Sequence, residues 1–508
     1  MPRNIESLDD EPLPDGTPNF AGGLTTFPVR NTLAPNQFFI GQNCSLNKNG
    51  VVQTRRGTSS LGTQTGGLGT LLGMGYLDTV AAKKLLVAYV GGSATLRAFD
   101  GTNWAAVAGY VPVGGNSVQM VQGNDKLYLT DTTQNMRSWD GTTMTDLGGG
   151  ATDAPHAKFI VWGTNRLIAA GVTNATDTVY FSDILDPSST HWSAANRIRV
   201  GAGDGEPITG MAMWTETILV VFKRTRIWVV DITPSVSVSN FTINIVPTAY
   251  GCVFHRTITT VGRDLWFLSN DGVRSLSRTL QGDENEVSQP ISLPIKNYTN
   301  LITDTWLELT CAIYFQGRYL LFHWSDFPAP DGSGTGYYTL AYNVELAQWE
   351  GRWDGWNTLC CAITKFNGQL RLVMGGNGGR VFYWRHITGT PMVTADYQDD
   401  AVADATAIPT RVGSRNHNFT AGQNSKRGFA LEIEFDNNTA PTADVKLVID
   451  DAAPVLFGTV VPAGRVQLTL LHQAPFRDLA VEVSSASAKL AVRSMALAAF
   501  LQTMPIGQ

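Results

Sequence analysis

The chain has 508 residues, a net charge of -6, 43% hydrophobic residues and only 16% charged ones. This balance, with no basic tail or arginine block, argues against tight phosphate-driven binding of nucleic acid, and no apolar run reaches the length a membrane-spanning helix needs. Its 51 glycines exceed the ordinary share of about 7%, which suits strands joined by tight turns.

Residues 1–25 are polar and rich in Pro, Gly and Asp. They predict an extended arm, and they lack the apolar segment of a signal peptide. From residue 26 short β runs alternate with turn signals. Leu96-Arg97-Ala98-Phe99-Asp100-Gly101-Thr102 recurs 40 residues later as Met136-Arg137-Ser138-Trp139-Asp140-Gly141-Thr142, each copy after an apolar strand. A period of this size, closed by an aromatic-Asp-Gly turn, matches one propeller blade. The pairs Asp100-Gly101, Asp140-Gly141 and Asp271-Gly272 are therefore read as blade turns. Further hairpins follow at 216–231, 263–278, 317–350 and 369–384, and their later members begin near 96, 136, 179, 227, 273, 340 and 381. We expect an all-β chain: a propeller of about seven blades (six to eight) over 26–390, with the β stretch before residue 60 completing the last blade. The small and acidic residues of 391–412 predict a linker. Alternating strands over 413–508 predict a C-terminal β-sandwich-like domain. No segment reads as a long amphipathic helix.

The residues that would carry chemistry are scattered. None of the seven histidines forms H-x-x-x-H, and no G-x-S-x-G elbow or phosphate-binding loop is present. Asp399-Asp400 and Asp450-Asp451 read as solvated turn acids rather than a glycosidase pair, because neighbours in sequence do not face each other across a cleft. The acidic run 282–286 lacks an EF-hand pattern. Cys44, Cys252, Cys311, Cys360 and Cys361 are odd in number and lack C-x-x-C spacing, so they read as buried free thiols. Trp306, Trp324, Trp349, Trp353, Trp356 and Trp384 crowd the last blades and are read as core packing, with a sugar-binding face as the alternative. The reading is a non-enzymatic protein with no cofactor and no metal.

The stretch Asn43–Thr58, with Asn43, Gly50, Arg55, Arg56, Gly57 and Thr58 at its key positions, resembles the N-terminal hairpin pattern "N…l…G…xRxGt" of the tail nozzle family (tail hub, tail tubular protein B) of short-tailed bacteriophages. Shorter matches follow in order: Asp153–Val161 with Asn165-Arg166-Leu167; Val179–Ser182 with Trp192; Tyr250-Gly251-Cys252 with Asn270–Val273; and Lys426-Arg427. The resemblance implies a virion protein, made in the host cytoplasm. It implies a ring, by family habit a hexamer, between an adaptor or connector ring and tail fibre or tip proteins, through which DNA passes without sequence-specific binding. The alternative is a carbohydrate- or receptor-binding propeller. The hairpin is expected to lock the fold, with Arg55 and Arg56 pairing nearby acids, and the arm 1–25 and the insertion 326–337 are expected to meet partners.

Overall fold

The computed structural model describes residues 13–27, 29–62, 69–90, 94–113, 116–148, 150, 152–233, 237–281, 289–366, 368–376, 379–385, 398–400, 405–419, 426–436, 440–486 and 489–501. Strands dominate, and the longer of the two described α-helices, Leu276–Gln281, has six residues. The chain forms two compact units. One takes residues 58–339 and 354–388. The other gathers residues 1–57, 340–353 and 389–508.

The first unit is a seven-bladed β-propeller. Blade 1 is the four-stranded antiparallel sheet of Thr70–Asp78, Lys83–Val90, Thr95–Phe99 and Trp104–Val107. Blades 2, 3 and 4 repeat it from Gln119–Gly123, Phe159–Gly163 and Ile208–Met213. Blade 5 has three strands, Thr259–Val261, Asp264–Ser269 and Gly272–Ser275. Blade 6 starts with Cys311–Phe315 and Arg318–Ser325, and its third strand, Gly336–Asn343, carries the chain across the unit boundary. Blade 7 is Thr358–Phe366, Gln369–Gly376 and Val381–Trp384, completed by Thr58–Ser60 from the other end of the chain.

First strands of neighbouring blades lie side by side from Thr70–Asp78 through Gln119–Gly123 and Phe159–Gly163 to Ile208–Met213. They do so again from Thr259–Val261 through Cys311–Phe315 to Thr358–Phe366, which returns to Thr70–Asp78. The short turn His255–Thr257 touches both Ile208–Met213 and Cys311–Phe315, so the ring is closed. The physical cause is legible in the strands. Arg166–Ala170 and Thr178–Phe181 are buried at every position, and Lys126–Thr130 and Ile218–Lys223 nearly so. A small sheet with two apolar faces must be covered on both, and radial neighbours cover them. Each fully buried Leu, Val or Phe is worth roughly 1.5–3 kcal/mol. Between blades 1 and 2, Leu77, Leu86, Leu127, Leu129 and Trp139 share one such core.

The second unit is built from two sheets. One runs Arg465–Phe476, Lys426–Phe435, Ala491–Leu501, Val52–Thr54, Cys44–Leu46, with Leu13–Thr17 also paired to Ala491–Leu501. The other holds Gln348–Trp353, Gln37–Gln42, Thr410–Ser414, Leu479–Ser485, Ala443–Ile449 and Val455–Val460 in that order, with Gly23–Leu24 alongside Gln37–Gln42. Phe429, Leu431, Ile433, Val445, Leu447, Val481, Val483, Met495 and Leu497 alternate inward and are buried.

The expected division of the chain therefore changes. Residues 26–57 do not belong to the propeller; of the predicted closing stretch, Thr58–Ser60 alone completes blade 7. The described part of the predicted arm, 13–25, includes the strands Leu13–Thr17 and Gly23–Leu24. The predicted linker 391–412 contains the paired strands Gln398–Asp400 and Ala405–Ala407 and the start of the sandwich strand Thr410–Ser414. These short stretches are too brief to show a period; Leu13–Thr17, Thr58–Ser60 and Thr410–Ser414 are strand because partners from far along the chain supply their hydrogen bonds, whereas Gln398–Asp400 and Ala405–Ala407 pair with each other.

Candidate functional site

Of the residues singled out by the family-like pattern, Asn43, Gly50, Arg55, Arg56 and Gly57 lie in the second unit, and Thr58 begins the strand that completes blade 7. Asn43 sits at φ 54°, a left-handed conformation that asparagine tolerates better than most residues. Its backbone N–H donates to Arg352 O at 2.8 Å, and its carbonyl accepts from Arg55 N at 2.8 Å. Its side chain accepts from Arg55 Nε at 2.9 Å and donates to Pro409 O at 2.8 Å. The Arg55 guanidinium, 1% exposed, closes on Asp399 with contacts of 3.0 and 2.6 Å. It also donates to Arg56 O at 3.1 Å. Gly50, at φ 71°, ends the tight turn that begins at Asn47, and its carbonyl accepts from Phe20 N at 2.9 Å. Arg56 is half-buried, and Gly57 and Thr58 are buried where the chain leaves this unit.

Glu350 is fully buried beside this hairpin and was not singled out by the sequence reading. It accepts from Leu46 N at 3.1 Å and from Asn343 Nδ2 at 2.8 Å, with Ser45 Oγ at 3.4 Å. Trp353 donates its indole N–H to Cys44 O at 2.6 Å. The signal was the run Gln348–Trp353, where a carboxylate stands between two tryptophans. A buried carboxyl of this kind needs partners, and the hairpin provides them.

At two of the three expected blade turns the aspartate caps the turn backbone. Asp100 Oδ1 accepts from Thr102 N at 2.9 Å and Asn103 N at 2.7 Å; Asp140 Oδ1 accepts from Thr142 N at 2.8 Å and Thr143 N at 2.7 Å. Those N–H groups, first of Asn103 and of Thr143, hold both carboxyls below the usual carboxylate range. Gly141, at φ 97°, accepts Lys84 Nζ on its carbonyl at 2.8 Å, and a Cβ there would come within 2.7 Å of Ala82. Asp271 plays another part. It pairs with Arg274, itself buried, whose guanidinium lies 3.4 Å from the Tyr250 ring centre. The blade turns and the 43–58 hairpin are thus separate sets.

The described residues of the propeller enclose these two cavities among others. One of about 390 Å³ is walled by blades 1 and 7, with Tyr76, Lys83, Phe99, Asp100 and Lys365 around it. The other, of about 200 Å³, is lined by first strands of blades 1, 2, 6 and 7 and by the 255–258 turn: Met74, Gln119, His255, Arg256, Cys311 and Cys361 are among its walls. Arg256 donates to Glu308 O at 3.2 Å and to Leu359 O. His255 accepts from Met211 N at 3.3 Å, and burial pushes its ring down to about 4.

All five cysteines are free thiols; four are buried and Cys361 is half-covered. Trp349, Trp353, Trp356 and Trp384 are buried, whereas Trp306 and Trp324 keep part of their surface. Asp450 and Asp451 sit at positive φ in a turn, where Asp450 accepts from Arg477 N and Asp478 N at 2.8 and 2.9 Å. The acidic run 282–286, His386 and the tip of the 375–379 turn lie outside the described residues. Among the described residues no group of three or more His, Cys, Asp or Glu is placed to hold a metal ion, and no helix is long and apolar enough to cross a membrane.

No protein-family model and no curated protein matches the chain. Among solved structures it is similar to the computationally designed Ika8 protein, at 13% identity over 64% of this chain and 99% of that one, with a TM-score of 0.37. It is similar to YCF48 bound to D1 peptide, at 12% identity over 68% of this chain and 99% of that one, TM-score 0.39. It is also similar to YCF48 from Cyanidioschyzon merolae, at 11% identity over 64% of this chain and 98% of that one, TM-score 0.39.

Proposed function

We propose that this chain is a structural virion protein whose copies form the ring-shaped nozzle or hub of a short phage tail, surround the channel for genome ejection and support attachment of tail fibres. The observation that carries the reading is the Asn43–Thr58 stretch. It bears the resemblance, and its polar groups are spent on joining chain segments hundreds of residues apart: Asn43 to Arg352 and Pro409, and Arg55 to Asp399. Fastening of that kind suits a rigid building block better than a moving catalyst. The net charge of -6 also suits a wall past which phosphates slide without sticking. In this reading the protein carries out no covalent chemistry and needs no cofactor. Its partners are further copies of itself, six in a ring, an adaptor or connector ring on one side and fibre or tip proteins on the other. Its place is the virion, after synthesis in the host cytoplasm.

A second reading, a carbohydrate- or receptor-binding propeller without enzymatic activity, is favoured by one feature. Trp306 and Trp324, partly exposed with ring centres 5.8 Å apart, both donate indole N–H groups to the exposed Asp326. Tyr337 stands against Trp324 at 4.6 Å. Aromatic faces beside a carboxylate suit a sugar.

Electron microscopy of the concentrated protein, alone and with particles from its source, separates the two. Six-fold rings with an open centre, or the chain located at the tail of a short-tailed virion, are the expected outcome. A lasting monomer absent from every virion, with affinity for a glycan lost in Trp324→Ala, overturns the nozzle reading.

A further inference from the structure

The cavity among the first strands of the propeller holds more sulfur than a packing role needs. Cys311 opens the first strand of blade 6 and Cys361 lies on the first strand of blade 7, two strands that run side by side. Both side chains line the same cavity, with Arg256 between the turn at 255–257 and the strand end at Leu359. Side chains alternate along Thr358–Phe366, and Cys360 packs with Leu71 and Val373 in the core shared by blades 1 and 7, so Cys361 faces the other side, toward blade 6. The neighbouring Cys360 also reaches the wall of this cavity, but its sulfur is engaged 3.4 Å from Gly375 O and 3.7 Å from Leu71 O. From these placements we infer that Cys311 and Cys361 are a two-electron oxidation site, which a peroxide converts to a disulfide joining blade 6 to blade 7.

The chemistry balances with a peroxide as the oxidant. The Cys311 thiolate attacks one peroxide oxygen, the O–O bond breaks, and Cys311 becomes a sulfenic acid while one water leaves. The Cys361 sulfur then attacks the Cys311 sulfur, the S–O bond breaks, and the second water leaves with the Cys361 proton. Two thiols and one hydrogen peroxide give one disulfide and two waters.

The order of attack follows from the surroundings. Contact with Cys361, aided by the Arg256 charge and opposed by burial, holds the Cys311 thiol below its usual value, while the same contact and burial hold Cys361 up. The nucleophile must be the thiolate, so Cys311 reacts first. Burial pushes Cys360 up to about 12, and Cys252 likewise, so neither competes. Cys361 is the half-covered member, which leaves the pair reachable by a small oxidant. The bond closes a loop between residues 311 and 361 across neighbouring blades, and it constrains the unfolded chain by that length.

The test uses the full chain treated with hydrogen peroxide, then unfolded, alkylated and mapped by mass spectrometry without reductant. The expected result is that the five thiols fall to three, with a single cross-linked peptide pair, Cys311 to Cys361. The thermal midpoint rises and returns on adding dithiothreitol. Cys360→Ser keeps the cross-link, while Cys361→Ala removes it and leaves Cys311 as a sulfenic acid trapped by dimedone. Five intact thiols after treatment overturn the inference, and so does a cross-link through Cys360 or a sulfonic acid at either position without a cross-link. Because the wild-type mass map alone decides, a variant that fails to fold leaves the outcome legible.

Discussion

Arg55 is gripped along its whole guanidinium, by Asn43 Oδ1 on Nε and by Asp399 on both terminal nitrogens. A charge 1% exposed loses water on every side, so removing a partner costs more than the pair contributes. Asp399→Ala is expected to destabilise the sandwich unit by about 2–3 kcal/mol, read as a lower urea midpoint at unchanged slope. Asp399→Asn should restore part of it, because an amide still accepts one N–H bond. A loss under ~0.5 kcal/mol would assign the fastening to Asn43 instead. The sequence carried half of this arrangement. The family-like pattern singled out Asn43 and Arg55 and expected an acid nearby. Asp399 was read as a solvated turn acid, because nothing local shows that a residue 344 positions away is its partner.

At the scale of strands, the third strand of every blade begins close to where hairpin spacing placed it, from Thr95–Phe99 to Val381–Trp384. Alternation and Asp-Gly turns are local, so sequence carries them. What stayed hidden is strand pairing over long distances, such as Leu13–Thr17 on Ala491–Leu501. The thiol pair stayed hidden too, because a blade period does not say which side chains of neighbouring first strands, here Cys311–Phe315 and Thr358–Phe366, face each other. Closure rests on three residues, Thr58–Ser60, against Val381–Trp384. Leu61 N donates to Val381 O at 3.0 Å, so by the alternation of an antiparallel ladder the Ser59 N–H points to Tyr383. Ser59→Pro removes that donor and should cost about 3 kcal/mol, seen as faster amide exchange in blade 7 and a lower thermal midpoint. Ser60→Pro, whose N–H faces away from the ladder, should cost less. Equal effects of the two would mean that backbone shape, not the missing donor, closes the ring.

At the scale of the molecule, each unit carries an acid-sensitive imidazole. His255, in the propeller, is held down to about 4 by burial, then by the Arg256 charge. His417, in the sandwich, is held down by burial against the pull of Asp15, whose carboxyl lies 3.3 Å away. For Asp15 burial pushes upward, but the His417 hydrogen bond and the charges of His417 and Arg415 outweigh it and hold it low. In the folded state both rings resist a proton that the unfolded chain accepts near 6.5, so stability present above that pH is lost as pH falls toward 4. The Asp15 contribution is lost only below about 3.8, as the carboxyl protonates. We expect the propeller to lose of order 2 kcal/mol between pH 6.5 and 4, and a His255→Gln variant to flatten that slope in thermal melts; an unchanged slope would place the sensitivity elsewhere. The chain also passes between the two units at residues 57–58, 339–340, 353–354 and 388–389. On a ribosome this imposes an order of events. The strands around residues 13–17 and 44–54 emerge before the propeller, yet their partners at 491–501 emerge after it. Leu13–Thr17 and the outer edge of the 44–54 hairpin must wait unpaired while the propeller is made, so the sandwich cannot finish before residues 491–501 emerge.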